Sequence, residues 1–108
     1  MNTIDNVSVT TKASIYFDGK CVSHALQCAD GSRKSVGVIF PSTLTFNTGA
    51  PEIMEIVSGS CRVRLAGADA TDWQRYEGGQ RFEVGASTAF DIETIDTLHY
   101  ICHFGAAA

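Results

Sequence analysis

The sequence predicts an all-β fold: one domain, closed as a barrel or built as a two-sheet sandwich. Three observations predict it. β-branched and aromatic residues recur with period-2 alternation from Ser14 to Phe104, the pattern of half-buried strands. Glycine, aspartate and asparagine interrupt these runs at roughly 8 to 12 residue spacing, as hairpin-rich all-β chains require. No useful length of chain repeats apolar residues with the helical period. With 108 residues there is room for one core and none for a second domain.

Taken in order, strands are expected at Ser14–Tyr16, Cys21–Leu26, Ser35–Phe40, Thr43–Thr48, Glu52–Ser58, Cys61–Leu65, Gln80–Val84, Thr88–Ile92 and Leu98–Phe104. Asp18-Gly19, Asp30-Gly31 and Ser58-Gly59-Ser60 supply the positive φ that tight turns need, and Gly78-Gly79 reads as a bend or loop before a strand. Residues 1–12 show no apolar periodicity, and the chain closes on Gly-Ala-Ala-Ala. Residues 1–12 and 105–108 are therefore expected to be flexible tails around a barrel domain of residues 13–104.

Alternation assigns faces. In Cys61-Arg62-Val63-Arg64-Leu65, the cysteine, valine and leucine face a core and both arginines face water. Phe82 and Val84 point inward, and the last strand sets Leu98, Tyr100, Cys102 and Phe104 opposite His99, Ile101 and His103. His99 and His103 share a face but lack a third metal ligand of evident geometry, and read as surface or interface residues. Thr43, Thr45 and Asn47 share one face, backed by Leu44 and Phe46 on the other. The polar face meets either solvent or a polar cavity, and the apolar side packs on a second sheet or on a partner subunit.

Composition narrows the partners. The chain is 44% hydrophobic and 19% charged with a formal net charge of -4, a soluble globular balance. Its basic residues form no cluster beyond Arg33-Lys34, which argues against nucleic acid and against a membrane surface. The polar N-terminus, MNTIDNVSVTTKAS, shows no secretory signal, so a cytoplasmic location is expected. Four cysteines without CxxC spacing read as free thiols used as small core residues.

Small double-stranded β-helix barrels of the cupin class carry a glycine, two histidines one residue apart, a glutamate and a second glycine. Glu52 and Gly59 here have the E-x6-G spacing, while Thr45 and Asn47 occupy the histidine positions. A second motif would run from Gly79 through Gly85 and Ser87 to a histidine, and that position is Phe90. The chain resembles a cupin jelly-roll barrel emptied of its metal, with hydroxyl, amide and phenyl groups that bind transition metals poorly. Neither a metal nor another cofactor is expected.

A more specific resemblance rests on Tyr16-Phe17-Asp18-Gly19-Lys20, Arg33-Lys34-Ser35-Val36-Gly37-Val38, the segment Pro51 to Gly59 and the run Asp69-Ala70-Thr71-Asp72-Trp73-Gln74-Arg75-Tyr76-Glu77-Gly78-Gly79. With Phe90 and Tyr100-Ile101-Cys102 these resemble, over residues 14 to 104, the small bacterial pyrimidine/purine nucleoside phosphorylases, which are single-domain cupins. A tryptophan in an acidic loop, followed by tyrosine, glutamate and glycine, is the most specific element. The sequence departs from the family in a longer N-terminal tail, in Gly85 where the family tends to proline, and in an Ala-rich C-terminal end.

The resemblance implies phosphorolysis of a broad set of purine and pyrimidine nucleosides to free base and ribose 1-phosphate, without metal, by a homodimer whose ligands are nucleosides and inorganic phosphate. Such a site needs an anchor for phosphate, a polar group near a ribose that develops positive charge, and a surface for the base. Arg33 is the candidate anchor, its alternative being a solvated loop arginine, and Ser35 supplies a hydroxyl to the same oxygens. Glu52 is the candidate partner of the ribose, its alternative being a turn residue after Pro51. Thr45 and Asn47 complete a polar wall, Met54 follows Glu52 on the same parity, and Phe90 and Tyr100 stack on base or ribose or else belong to the core. No residue stands out as a general acid for the leaving base. A non-enzymatic cupin that binds a sugar or nucleotide is the alternative reading.

Overall fold

The computed structural model describes residues 3–67 and 71–105. Asp69 and Ala70 of the tryptophan-bearing run, and residues 106–108 of the expected C-terminal tail, lie outside the described residues.

Eleven strands are formed among the described residues: β1 (Val7–Val9), β2 (Ser14–Tyr16), β3 (Cys21–Cys28), β4 (Arg33–Ile39), β5 (Ser42–Asn47), β6 (Glu52–Ser58), β7 (Ser60–Leu65), β8 (Gln74–Glu77), β9 (Arg81–Val84), β10 (Ala89–Thr94) and β11 (Leu98–Phe104). The larger sheet runs β1-β3-β4-β11-β6-β9, with β2 also paired to β3, and the smaller runs β5-β10-β7-β8. All pairings are antiparallel. The two sheets face each other as the jelly-roll barrel of the cupin class, which leaves only short edges. No described helix is long and apolar enough to cross a membrane.

The alternation read from the sequence builds the core. Inward positions Ile39, Leu44, Met54, Ile56, Val63, Phe82, Val84, Phe90, Ile92 and Leu98 form one buried cluster with Tyr100, Cys21, Cys61 and Cys102. All four cysteines are free thiols. A file of aromatic rings crosses the barrel: Phe46 stacks on Phe90 at 5.6 Å, Phe90 meets Phe82 edge-on at 5.7 Å, and Phe82 meets Tyr76 at 5.0 Å. Each such pair adds about 0.5–1.5 kcal/mol beyond its buried area.

Several expectations are corrected. Val7–Val9 is a strand paired with Leu26–Cys28, because the edge of β3 supplies backbone partners that a three-residue apolar pattern cannot announce. Gln74–Glu77, where no strand was expected, pairs with β7 as an edge strand. Leu44 is buried and Phe46 packs against the core, so the apolar side of β5 meets the second sheet and is not a docking face for another subunit. Leu65 keeps the inward parity but is 47% exposed, since β8 stops opposite Val63 and leaves the end of β7 uncovered. Ile101, on the outer parity, is nevertheless buried.

Two backbone features shape one end of the barrel. Gly37 lies on the inward row between Ser23 and Tyr100; a Cβ there would stand 2.3 Å from the Val22 carbonyl oxygen and 2.9 Å from Ser23 Cβ. Only glycine permits β3 and β4 to close at that point. Between β2 and β3, Phe17 (φ 53) and Asp18 (φ 55) are both left-handed, a conformation uncommon for a bulky residue. The turn seats the Phe17 ring edge-on against Phe46 at 5.2 Å.

Candidate active site

The inner face of the larger sheet carries three cross-strand rows at the open end of the barrel. Register places Gln27, Arg33, Phe104 and Glu52 in one row, Ala25, Ser35, Cys102 and Met54 in the next, and Ser23, Gly37, Tyr100 and Ile56 in the third. Ser14 and Tyr16 of β2 join from the edge of β3. Phe46 and Phe90 close the opposite side from the smaller sheet. Together they enclose a cavity of about 450 Å3 lined by Arg33, Ser35, Glu52, Tyr100, Cys102 and Phe90, among others, a size that suits a small organic ligand.

The floor is polar but protonated. The Tyr100 hydroxyl lies 3.6 Å from Cys21 Sγ, and the Cys102 thiol donates to Glu52 Oε1 at 3.5 Å. Burial foremost, then the charge of Cys21, pushes the Tyr100 phenol well above its ordinary value. Burial and then the Glu52 carboxylate do the same for the Cys102 thiol. These groups hold their protons at neutral pH and offer donors. Burial also raises the Glu52 carboxyl above the ordinary glutamate value, opposed by the hydrogen bond from Cys102. At the rim, exposed Arg33 pairs with no carboxylate among the described residues.

Of the residues singled out from sequence, Arg33, Ser35, Asn47, Glu52, Met54, Phe90 and Tyr100 line this one cavity. Thr45 does not. It faces outward from β5 and donates to Asp91 Oδ1 at 2.6 Å, because Leu44 and Phe46 take the inward parity and period-2 alternation turns Thr45 the other way. Asn47 reaches the cavity from the end of the same strand. Tyr16, Ser23, Cys102 and Phe104 also line it and were missed, although Cys102 and Phe104 share the parity of Tyr100. Ser23 and Tyr16 could be placed only once the β2–β3–β4 pairing was known.

Trp73 lies elsewhere, between Arg62 and Arg64 with the guanidinium carbons 4.9 and 4.6 Å from its ring centre. These arginines pair with Glu93 and Asp91 at 2.7 Å each. The histidine positions of the metal-binding cupin pattern hold an outward threonine, a rim amide and a phenyl ring, which do not fit a metal ion. No three described His, Cys, Asp or Glu side chains group as metal ligands. His103 sits on the outer face, accepting from Lys34 at Nδ1 (2.6 Å) and donating from Nε2 to Glu55 (3.0 Å), on the opposite side of the sheet from Glu52.

A cupin barrel whose cavity sets a rim guanidinium, a half-buried carboxyl and an aromatic wall around an organic-ligand-sized space has the build of an enzyme that acts on small molecules. The sequence model of the pyrimidine/purine nucleoside phosphorylase family matches residues 11–104, and the chain belongs to that family. It is 68% identical over 100 residues to the pyrimidine/purine nucleoside phosphorylase of Herminiimonas arsenicoxydans, covering 93% of this chain and 94% of that one. The crystal structure of a protein of unknown function from Acinetobacter sp. ADP1 superposes with a TM-score of 0.90 at 44% identity, covering 94% of this chain and 97% of that one. The EutQ protein of Clostridium difficile shares the fold, with a TM-score of 0.64 at 11% identity over 82% of this chain and 70% of that one.

Proposed function

We propose that this phosphorylase splits a broad set of purine and pyrimidine nucleosides with inorganic phosphate, giving free base and ribose 1-phosphate without a metal ion. The supporting observation is the shared row of Arg33 and Glu52, one strand apart across β11. Their backbones are separated by about 10 Å, room for a phosphate beside a sugar.

Phosphate sits against the Arg33 guanidinium, which has no ion pair among the described residues, with Ser35 as the second donor. The ribose lies over Glu52, whose carboxylate accepts from sugar hydroxyls and opposes the positive charge that builds at the anomeric carbon. A phosphate oxygen bonds to that carbon as the bond to the base nitrogen breaks, and the electron pair leaves with the base. The base rests on Phe90 and Phe46. An aromatic wall selects by shape and stacking more than by base-edge hydrogen bonds, which suits broad specificity. Asn47 adds an amide at the rim.

Purified protein incubated with uridine and, separately, adenosine is expected to release base only when phosphate is present, with ribose 1-phosphate as coproduct and no loss after exhaustive chelation. Base release independent of phosphate, or dependent on added metal, overturns the reading. We further propose a cytoplasmic homodimer. Support for association is the apolar edge at β2, where Ile15, Tyr16 and Phe17, with nearby Phe40, stand exposed.

A further inference from the structure

The polar groups of the cavity fall into two halves, Arg33 with Ser35 on β4 and Glu52 on β6. One side chain joins them. Cys102 lies on β11, the strand between, directly opposite Ser35 on one side and Met54 on the other. Its side chain is 4% exposed. Ser35 is its direct cross-strand neighbour, and the Cys102 thiol donates to Glu52 Oε1 at 3.5 Å. Oε2 of Glu52 has no hydrogen-bond partner among the described residues, so the thiol holds one oxygen and leaves the other turned to the cavity.

We propose that Cys102 is a positioning residue that aims the Glu52 carboxylate at the ribose and couples it to the phosphate half through Ser35. The inference rests on the phosphorolysis reading for its kinetic consequence, but not for the coupling itself. A thiol suits the place: it fits the buried row as a small apolar group and is a weak donor. A weak donor steadies a carboxylate without neutralising it, which leaves negative charge available to the developing cation. Cys102 does not touch the reacting atoms in this account.

The groups that share the Glu52 environment are few. From β11 they are Cys102 and Tyr100, both protonated, and from β4 the Arg33 guanidinium at the rim. β9 contributes Val84 opposite Glu52, and the smaller sheet contributes the uncharged Phe46, Phe90 and Asn47. Arg81, Glu83, Glu55 and His103 have the outer parity; Lys34 borders the cavity but shares that parity and turns its ammonium to His103 Nδ1 at 2.6 Å. The thiol is therefore the main hydrogen-bonding control on this carboxyl.

Two variants test this: Cys102→Ala, which deletes the donor, and the near-isosteric Cys102→Ser, which strengthens it. The Glu52 carboxyl is followed by 13C NMR titration in the free protein, and kcat/KM for uridine phosphorolysis is followed against pH. The Glu52 midpoint is expected to move up in C102A and down in C102S. The acid limb of the pH profile should move the same way, and kcat at neutral pH should fall about fivefold in C102A and recover in C102S. Equal loss of activity in both variants, with the Glu52 midpoint unmoved, overturns the inference. If the wild type shows no phosphorolysis at all, the functional reading fails while the NMR titration still decides whether Cys102 controls Glu52.

Discussion

The inner end of the larger sheet and the outer face of the smaller one are built from the same residue types, and they use them in opposite ways. Outside, Arg62 meets Glu93, Arg64 meets Asp91, Thr45 donates to Asp91 and Thr43 to Glu93, with Trp73 laid across both guanidiniums. Every charge in that ladder is answered by protein. Inside, among the described residues, Arg33 has no carboxylate partner, and Glu52 has one weak donor. Arg33, like Arg75 and Arg81, has no ion pair among the described residues; what sets it apart is its place on the cavity wall.

The pH behaviour of the two regions differs in sign. Asp91 is held below the ordinary aspartate range by the Thr45 hydroxyl and then by Arg64, and Glu93 below the glutamate range by Arg62. Their contribution to stability is present above the ordinary carboxylate range and fades as pH falls through their lowered values. Glu52 is shifted upward by burial. Its contribution is present at low pH and is lost as pH rises through the raised value, so at neutral pH its charge opposes folding.

The sharpest way to break the comparison is Arg33→Ala, expected to lower kcat/KM for phosphate about a hundredfold or more with an unchanged melting temperature, as removal of a charge-assisted anchor does. A variant with full activity would mean that the unmatched guanidinium is ordinary surface. Glu52→Gln comes next. Phosphorolysis should fall about thirtyfold, while thermal melting at pH 7 shifts upward and melting at pH 4 shifts less. A lower melting temperature at pH 7 would place Glu52 among the stabilising carboxylates. Trp73→Ala removes the shared platform of both arginines and is expected to lower stability by about 1 kcal/mol in urea titration, with kcat/KM preserved. A large kinetic defect there would join the two regions functionally. The smallest effect is expected from Arg62→Ala: an exposed pair, no resolvable change in melting temperature, and activity intact.

The division was partly legible in the chain. Alternation placed Phe82, Val84, Tyr100 and Cys102 on inner faces and Arg62 and Arg64 on the outer one, since period 2 survives wherever one face is buried. Seven of the candidates named from the family resemblance, among them Arg33, Glu52 and Tyr100, line one cavity. Thr45 failed because a run with threonines on one side and Leu44 and Phe46 on the other does not say which side holds the cavity. The two edge strands β1 and β8 failed because short edges draw their order from a neighbour and not from their own pattern. Trp73 was conspicuous as a residue, but its partners, Arg62 and Arg64, come from another strand, and sequence distance hides such contacts. The strained Phe17 turn was legible only as an Asp-Gly bend.

The order of strands in the larger sheet has a consequence for how the protein is made. β11 is inserted between β4 and β6, although some forty residues of chain separate it from β6. Until residues 98–104 clear the ribosome, the nascent chain has two bare strand edges where its ligand would lie, open to mispairing. Insertion of that one segment seals those edges and creates the chamber in a single act. Without that segment the Arg33 and Glu52 strands are not joined, and the chamber lacks the wall that Tyr100, Cys102 and Phe104 supply.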